Sequence, residues 1–513
     1  MTKSIERLRR DAKALKKALE AEDLHARQRI ANYRPRAAGA TLKHADYLHV
    51  IARENSFLSW PALKLAAELN GLDRAAAQQR LKIALHHGQR QVVDRLLAQI
   101  PDLAEGQLGL RIALYHRTEV EAALNADPSA ATRLVGGRSP LCQLAFSQYI
   151  HQRPDLEGAM IAIADMLVAH GASVDESMPV SADNDHQLSA LYGAIGHGNN
   201  MVLARWLLDH GANPNDNESL YHATELGHHE GLKMLLEHGA DPRGTNALLR
   251  AMDFGDVDAV RMLLAAGALA DEFIGTHVGG ERPWVVPALH QAARRICGAE
   301  MFGVLLDAGA DPERRFEGCS AYGYARVFGN AALAREIEAR GIAPTLTADE
   351  DLLATAAEGR DPGGRTVNPE RLPDAYRNII RTILHLPGKL DHVKRLVALG
   401  LEFDRPDAEG LTPVQVAGWE GLPDMMAYLL SLGPDLSHQN GYGGTLLSTI
   451  VHGSENCPER AIRDQLGCLR LALEAGVSVP RRAADLAGVP EIADALAEWV
   501  DRHPDCLMEG GPA

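Results

Sequence analysis

"SALYGAIGHGNNMVLARWLLDHGANPND" occupies Ser189–Asp216, and its reading decides the fold. Two short apolar runs stand in it: "ALYGAI" halts at the polar "HGNN", and "MVLARWLLD" halts at "HGANPN" before the rhythm begins again. A glycine closing a helix accepts left-handed backbone, so Gly198, Gly227 and Gly255 predict tight antiparallel returns. The pairs Leu207-Leu208 and Leu235-Leu236 carry more apolar surface than one helical hairpin buries, so they must pack on neighbouring layers.

The stretch recurs. "NESLYHATELGHHEGLKMLLEHGADPRG" follows at once, then "TNALLRAMDFGDVDAVRMLLAAGALAD" and "VPALHQAARRICGAEMFGVLLDAGADPER". Weaker copies extend on both sides, with equivalent positions at Leu81, Leu110, Leu141, Leu191, Leu220, Leu248, Leu289, Tyr322, Leu352, Val414 and Leu446. Most spacings are near a period of ~33 residues. In "ALHQAA", "SALYGAIGHGN", "LLDHGANPN" and "LLEHGADP" the chain resembles the ankyrin repeat, over about four fifths of its length from Leu72 to Trp499.

The expected fold is an all-α ankyrin-repeat solenoid of about eleven helix-turn-helix units with short β-hairpin fingers and helical caps at both ends. Residues 1–71 read as an N-terminal helical cap, in which Ile5, Leu8, Ala12, Leu15 and Leu19 share one helical face, with Ser59 as a later N-cap and Pro61 in the first turn. This segment resembles the N-terminal region of many bacterial ankyrin proteins. Residues 72–345 form a first array, 346–409 a degenerate repeat with an insertion, 410–480 a second array, and 481–513 a helical cap and tail.

Charge narrows the function. The net charge is −16, and the first 36 residues carry 11 Lys/Arg against 5 Asp/Glu, which leaves −22 for the remainder. An acidic body argues against a nucleic-acid coat, and no apolar run has the length of a signal peptide or membrane span. A cytoplasmic monomer is expected. The six cysteines are scattered and read as packed thiols.

The family resemblance implies recognition of another protein through the groove and the fingers. Groove slots just before each helix-ending turn hold Tyr115, Phe146, Phe254, Arg294, Arg295, Phe328 and Trp419. A long finger within "LADEFIGTHVGGERPWVVPA" adds Phe273 and Trp284. With only eight Phe and five Trp in the chain, this placement reads as a row of partner anchors. The rings either meet a partner or pack on one another, and the partner reading is taken. Further insertions are "EGRDPGGRTVNPERLPDAYRNIIRT" and "SENCPERAIRDQLG". Within binding, the acidic body also fits an inhibitor or immunity-type protein that neutralises a basic enzyme.

Catalysis is the rival class. GxSxG, GK(S/T) phosphate loops, GxGxxG after a strand and HExxH are all missing from the sequence. His170, His210 and His238 occupy the "HGA" turn and read as structural. His222, His228 and His229 approach metal spacing, but Gly227 interrupts their helix, so no metal or cofactor is expected. Glu225 with Asp253 is the carboxylate pair that an enzyme built across the groove would use.

Overall fold

The computed structural model describes residues 5–33, 42, 44–181, 184–271, 273–274, 285–480, 483, 487–503 and 507–508. Among them, eleven antiparallel helix pairs follow one another, from Arg74–His86 with Arg90–Gln99 to Leu446–Asn456 with Gln465–Glu474. The molecule is an all-α solenoid. Its main core runs from Leu69 to Leu496, because each layer sets its leucines against the next.

The helix Met201–Asp209 shows how a layer is built. The side chain of Asn200 accepts the N–H of Leu203 at 3.2 Å, and Leu203, Ala204, Leu207 and Leu208 are buried. The helix stops where Gly211 takes a φ of +90°. There Nδ1 of His210 lies 2.7 Å from the carbonyl of Trp206. A carbonyl only accepts, so Nδ1 carries the proton and adds a second bond to a carbonyl that the His210 N–H also meets at 3.1 Å. His170 and His238 repeat the bond at 2.8 Å to Met166 and Met234. These histidines are structural, as their recurrence predicts.

The turn at Gly198 departs from expectation. Gly227 and Gly255 are left-handed, at φ +72° and +64°, but Gly198 is not, and Asn199 takes the positive φ of +45° instead. A turn of π-helix at Gly193–His197 inserts an extra residue and shifts the reversal by one position.

First helices pack more closely on one another than second helices do, which places them on the inside of the curve. The most extended finger described is one that the sequence did not announce: Ser177–Ser181 pairs antiparallel with Asn184–Ser189. A short finger pairs Arg315–Phe316 with Cys319–Ser320. The long finger expected around Trp284 lies largely outside the described residues. The insertion after Glu358 turns helical at Asp374–Arg377 and Ile379–Ile383 and supplies core, since Tyr376, Ile379, Ile380 and Ile383 are buried.

The ends do not stand apart as two separate caps. Leu8, Ala12 and Leu15 build a second core with Val50, Ile51 and Leu63. From this unit, Trp60–Leu69 packs on Arg90–Gln99 in the first repeat, while His44–Glu54 packs on the last helix, Pro490–Arg502. The N-terminal segment thus bridges both ends of the superhelix. Cys142, Cys297, Cys319, Cys457 and Cys468 are free and buried, and Cys506 lies outside the described residues. No helix among the described residues is long and apolar enough to cross a membrane.

Candidate functional site

The groove slots divide sharply by burial. Phe254 keeps 55% of its surface exposed, whereas Tyr115, Phe146, Phe328 and Arg294 are buried. Tyr115 occupies the left-handed turn position itself, at φ +60°, because its repeat has no glycine there. That shift swings its ring inward beside Tyr149, at a centroid distance of 5.8 Å. Phe146 packs among His86, Tyr192 and His197 at 5.3–6.0 Å. Phe328 stacks on Tyr324 at 5.3 Å and faces Tyr376. These three rings are core, not a row of open anchors, because close-packed first helices leave room between layers only for side chains that interdigitate.

The remaining candidates are more open. Trp419 is half-buried against His452 at 5.1 Å. Arg295 is half-buried and donates through Nε to Asp253 at 2.7 Å. Arg294 donates to Gln291 at 2.7 Å, and burial beside Arg295 lowers its pKa to about 10. Phe273 meets Phe316 edge-on at 5.5 Å with Arg314 over its face. Trp284 lies outside the described residues.

Around Phe254 the inner helices carry a continuous chain of charge. His186, on the finger, lies 2.5 Å from Glu218, and His222 stands between Glu218 at 3.2 Å and Glu225 at 3.0 Å. Glu225 then accepts from Arg250 at 2.7 Å, Arg250 also donates to Asp253 at 2.9 Å, and Asp253 accepts from Arg295. Burial opposes charge on His222, but the hydrogen bonds to Glu218 and Glu225 overcome it and hold the pKa up to about 9.

A register rule underlies the chain. His222, Arg250 and Gln291 each stand one helical turn before the first slot of their repeat, on the same face as Glu225, Asp253 and Arg294. Two slot side chains reach the early-turn residue of the following repeat, Glu225 with Arg250 and Asp253 with Gln291, while Arg294 turns back to Gln291 of its own repeat. That recurrence of a polar residue one turn ahead of the slot was the available signal. His186 and Glu218 had none, because their pairing depends on the path of the finger.

The carboxylates Glu225 and Asp253 are bridged by one guanidinium, so neither is poised to share a proton with the other. His228 bonds Asn199 at 2.9 Å and His229 bonds Asp256 at 2.7 Å. With His222 held by glutamates, the three histidines point to separate partners instead of one metal.

The family model for ankyrin repeats (3 copies) matches residues 156–246 and 204–274. Residues 156–274 are ankyrin repeats. This ankyrin stack is 41% identical over 78 residues to protein phosphatase 1 regulatory subunit 27 of Homo sapiens and of Mus musculus, covering 15% of this chain and 47% of each relative. The chain therefore spans about half the length of the curated relatives it matches. Among solved structures, the human ASB11 ankyrin repeat domain aligns at 21% identity and a TM-score of 0.34, over 48% of this chain and all of that one.

Proposed function

We propose that this ankyrin-repeat protein is a noncatalytic scaffold that grips another protein across its concave face, with Phe254 as the central anchor. One observation carries the reading: the largely exposed ring of Phe254 lies under the guanidinium of Arg250 at 5.0 Å. Arg250 is itself fixed by Glu225 and Asp253. An aromatic and an arginine held in place before binding form the kind of hot spot that loses little freedom on association.

Trp419 and Arg295 extend the contact along the groove, and Phe273 adds a second one, with Trp284 as a further partner contact whose position lies outside the described residues. The −22 body favours a basic partner surface, whose association slows as salt screens the attraction. Two curated relatives are named as regulatory subunits of protein phosphatase 1, which makes that phosphatase the first partner to try.

The test is capture on the immobilised full chain, with bound proteins identified by mass spectrometry and affinity then measured on the purified partner. Phe254→Ala should weaken binding by about 2 kcal/mol while the melting temperature holds. Undiminished affinity in Phe254→Ala combined with Trp419→Ala overturns the proposal.

A further inference from the structure

A separate cavity of about 460 Å³ opens near the start of the stack, between the first and third repeats. It exists because the intervening helix, Leu108–Ala113, presents Gly109 and Ala113 to it, while the flanking helices carry Lys82, His86 and Phe146. One side is closed by the turn Val135–Arg138, whose Gly136 and Gly137 take φ +61° and +84° and let Val135 and Arg138 bridge.

Its polarity is one-sided. Lys82, Arg138, His86 and His87 line it, and none of its lining residues is acidic. Among the described residues, no carboxylate lies within ion-pair distance of Lys82 or Arg138. Arg138 is half-buried and spends one donor on Nδ1 of His86 at 3.3 Å, with its guanidinium carbon 5.6 Å from the Phe146 centroid. Its neighbour in charge pattern, Arg250, has two carboxylates in contact. A half-buried guanidinium without a counter-charge, in an otherwise acidic protein, is costly unless something anionic joins it.

Burial, followed by the charges of His197, Arg138 and His87, lowers the pKa of His86 to about 3. His86 is therefore neutral and accepts from Arg138, leaving two fixed positive charges. Two charges with a planar donor fork match a phosphate monoester dianion better than a singly charged carboxylate. The volume exceeds that of bare phosphate, and Ile83, 41% exposed, offers apolar surface to an organic remainder.

We propose that this cavity binds a phosphate monoester, with Arg138 and Lys82 on the phosphate and Ile83 against its organic group. The source is either a free phosphorylated small molecule or a phosphorylated side chain, and the chemistry is common to both.

The full chain is titrated calorimetrically with phenyl phosphate and with benzoate at fixed ionic strength, and its histidine signals are followed by NMR. Phenyl phosphate should bind saturably, shift the His86 and His87 resonances, and exceed benzoate in affinity by roughly tenfold. Arg138→Gln should weaken it by roughly tenfold or more, and Lys82→Gln, in a separate helix, reads the same site if the first variant fails to fold. A phosphotyrosine peptide that binds more tightly than phenyl phosphate assigns the group to a protein; equal affinity assigns it to a small molecule. No saturable binding at millimolar phenyl phosphate, benzoate binding as tightly, or full affinity in the folded variants overturns the proposal.

Discussion

Nε2 of His222 lies 3.2 Å from Oε2 of Glu218, a carboxylate with no exposure to solvent. His222 and His186 both face that buried carboxylate and offset the cost of burying it. The charged histidine is therefore part of the fold, and the concave face inherits its rigidity from this pairing.

His222→Ala should lower stability by roughly 3 kcal/mol, because it strips a buried charge of a partner. The folded pKa is raised to about 9, so the stabilisation is complete below the ordinary histidine value and is lost as pH rises through 9. Urea unfolding between pH 6 and 10 checks both; a variant with the same alkaline limb as the parent means the pairing contributes nothing.

Two phenylalanines at equivalent repeat positions should behave oppositely. Phe254→Ala, at an exposed ring, should change stability by no more than about 0.5 kcal/mol, whereas Phe328→Ala should cost about 3–5 kcal/mol through the cavity it leaves. Equal losses in thermal denaturation would place Phe254 in the core and remove it from the partner surface.

Asp494 sits on the last helix where the N-terminal unit meets it. Burial, then Glu498 and Glu491, raise its pKa to about 7, with Asp46 adding to the rise and Arg9 opposing it. A carboxyl raised on folding favours the native state at low pH, and its contribution falls as pH climbs from about 4 to about 7. Asp494→Asn should flatten that slope and gain on the order of 1 kcal/mol at pH 8, once solvent screening is allowed for. An unaltered pH profile in calorimetry refutes it.

Gly453 touches the backbone under Trp419. A Cβ there would lie 2.8 Å from the Trp419 Cα and press on its carbonyl. Gly453→Ala should destabilise by about 1–3 kcal/mol through overpacking and displace the Trp419 indole signal in NMR spectra. A resonance that stays put means the helices Pro413–Trp419 and Leu446–Asn456 separate freely.

Much of the architecture was legible because ankyrin layers are local. Gly211 ends a helix through its own backbone freedom, His210 bonds a carbonyl four residues back, and Leu207 and Leu208 must meet the next layer. Such signals repeat with the period, so helix pairs and their number follow from one strand of text. The slots were legible only as positions. Phe146, Phe254 and Phe328 hold equivalent places, yet His197 and Tyr192 cover the first and Tyr324 and Tyr376 the last. His197, Tyr192 and Tyr376 come from other layers, and Tyr324 lies one turn before Phe328 in the same helix.

By itself, the sequence determined the helix pairs, most of their turns and the stacking of adjacent layers, since each depends on residues within one period or its immediate neighbour. Only the tertiary structure decided which rings stay open, that His186 reaches Glu218, and that His44–Glu54 meets Pro490–Arg502. The reason is physical: curvature is the sum of small rotations between layers, and it brings together residues that no local pattern relates.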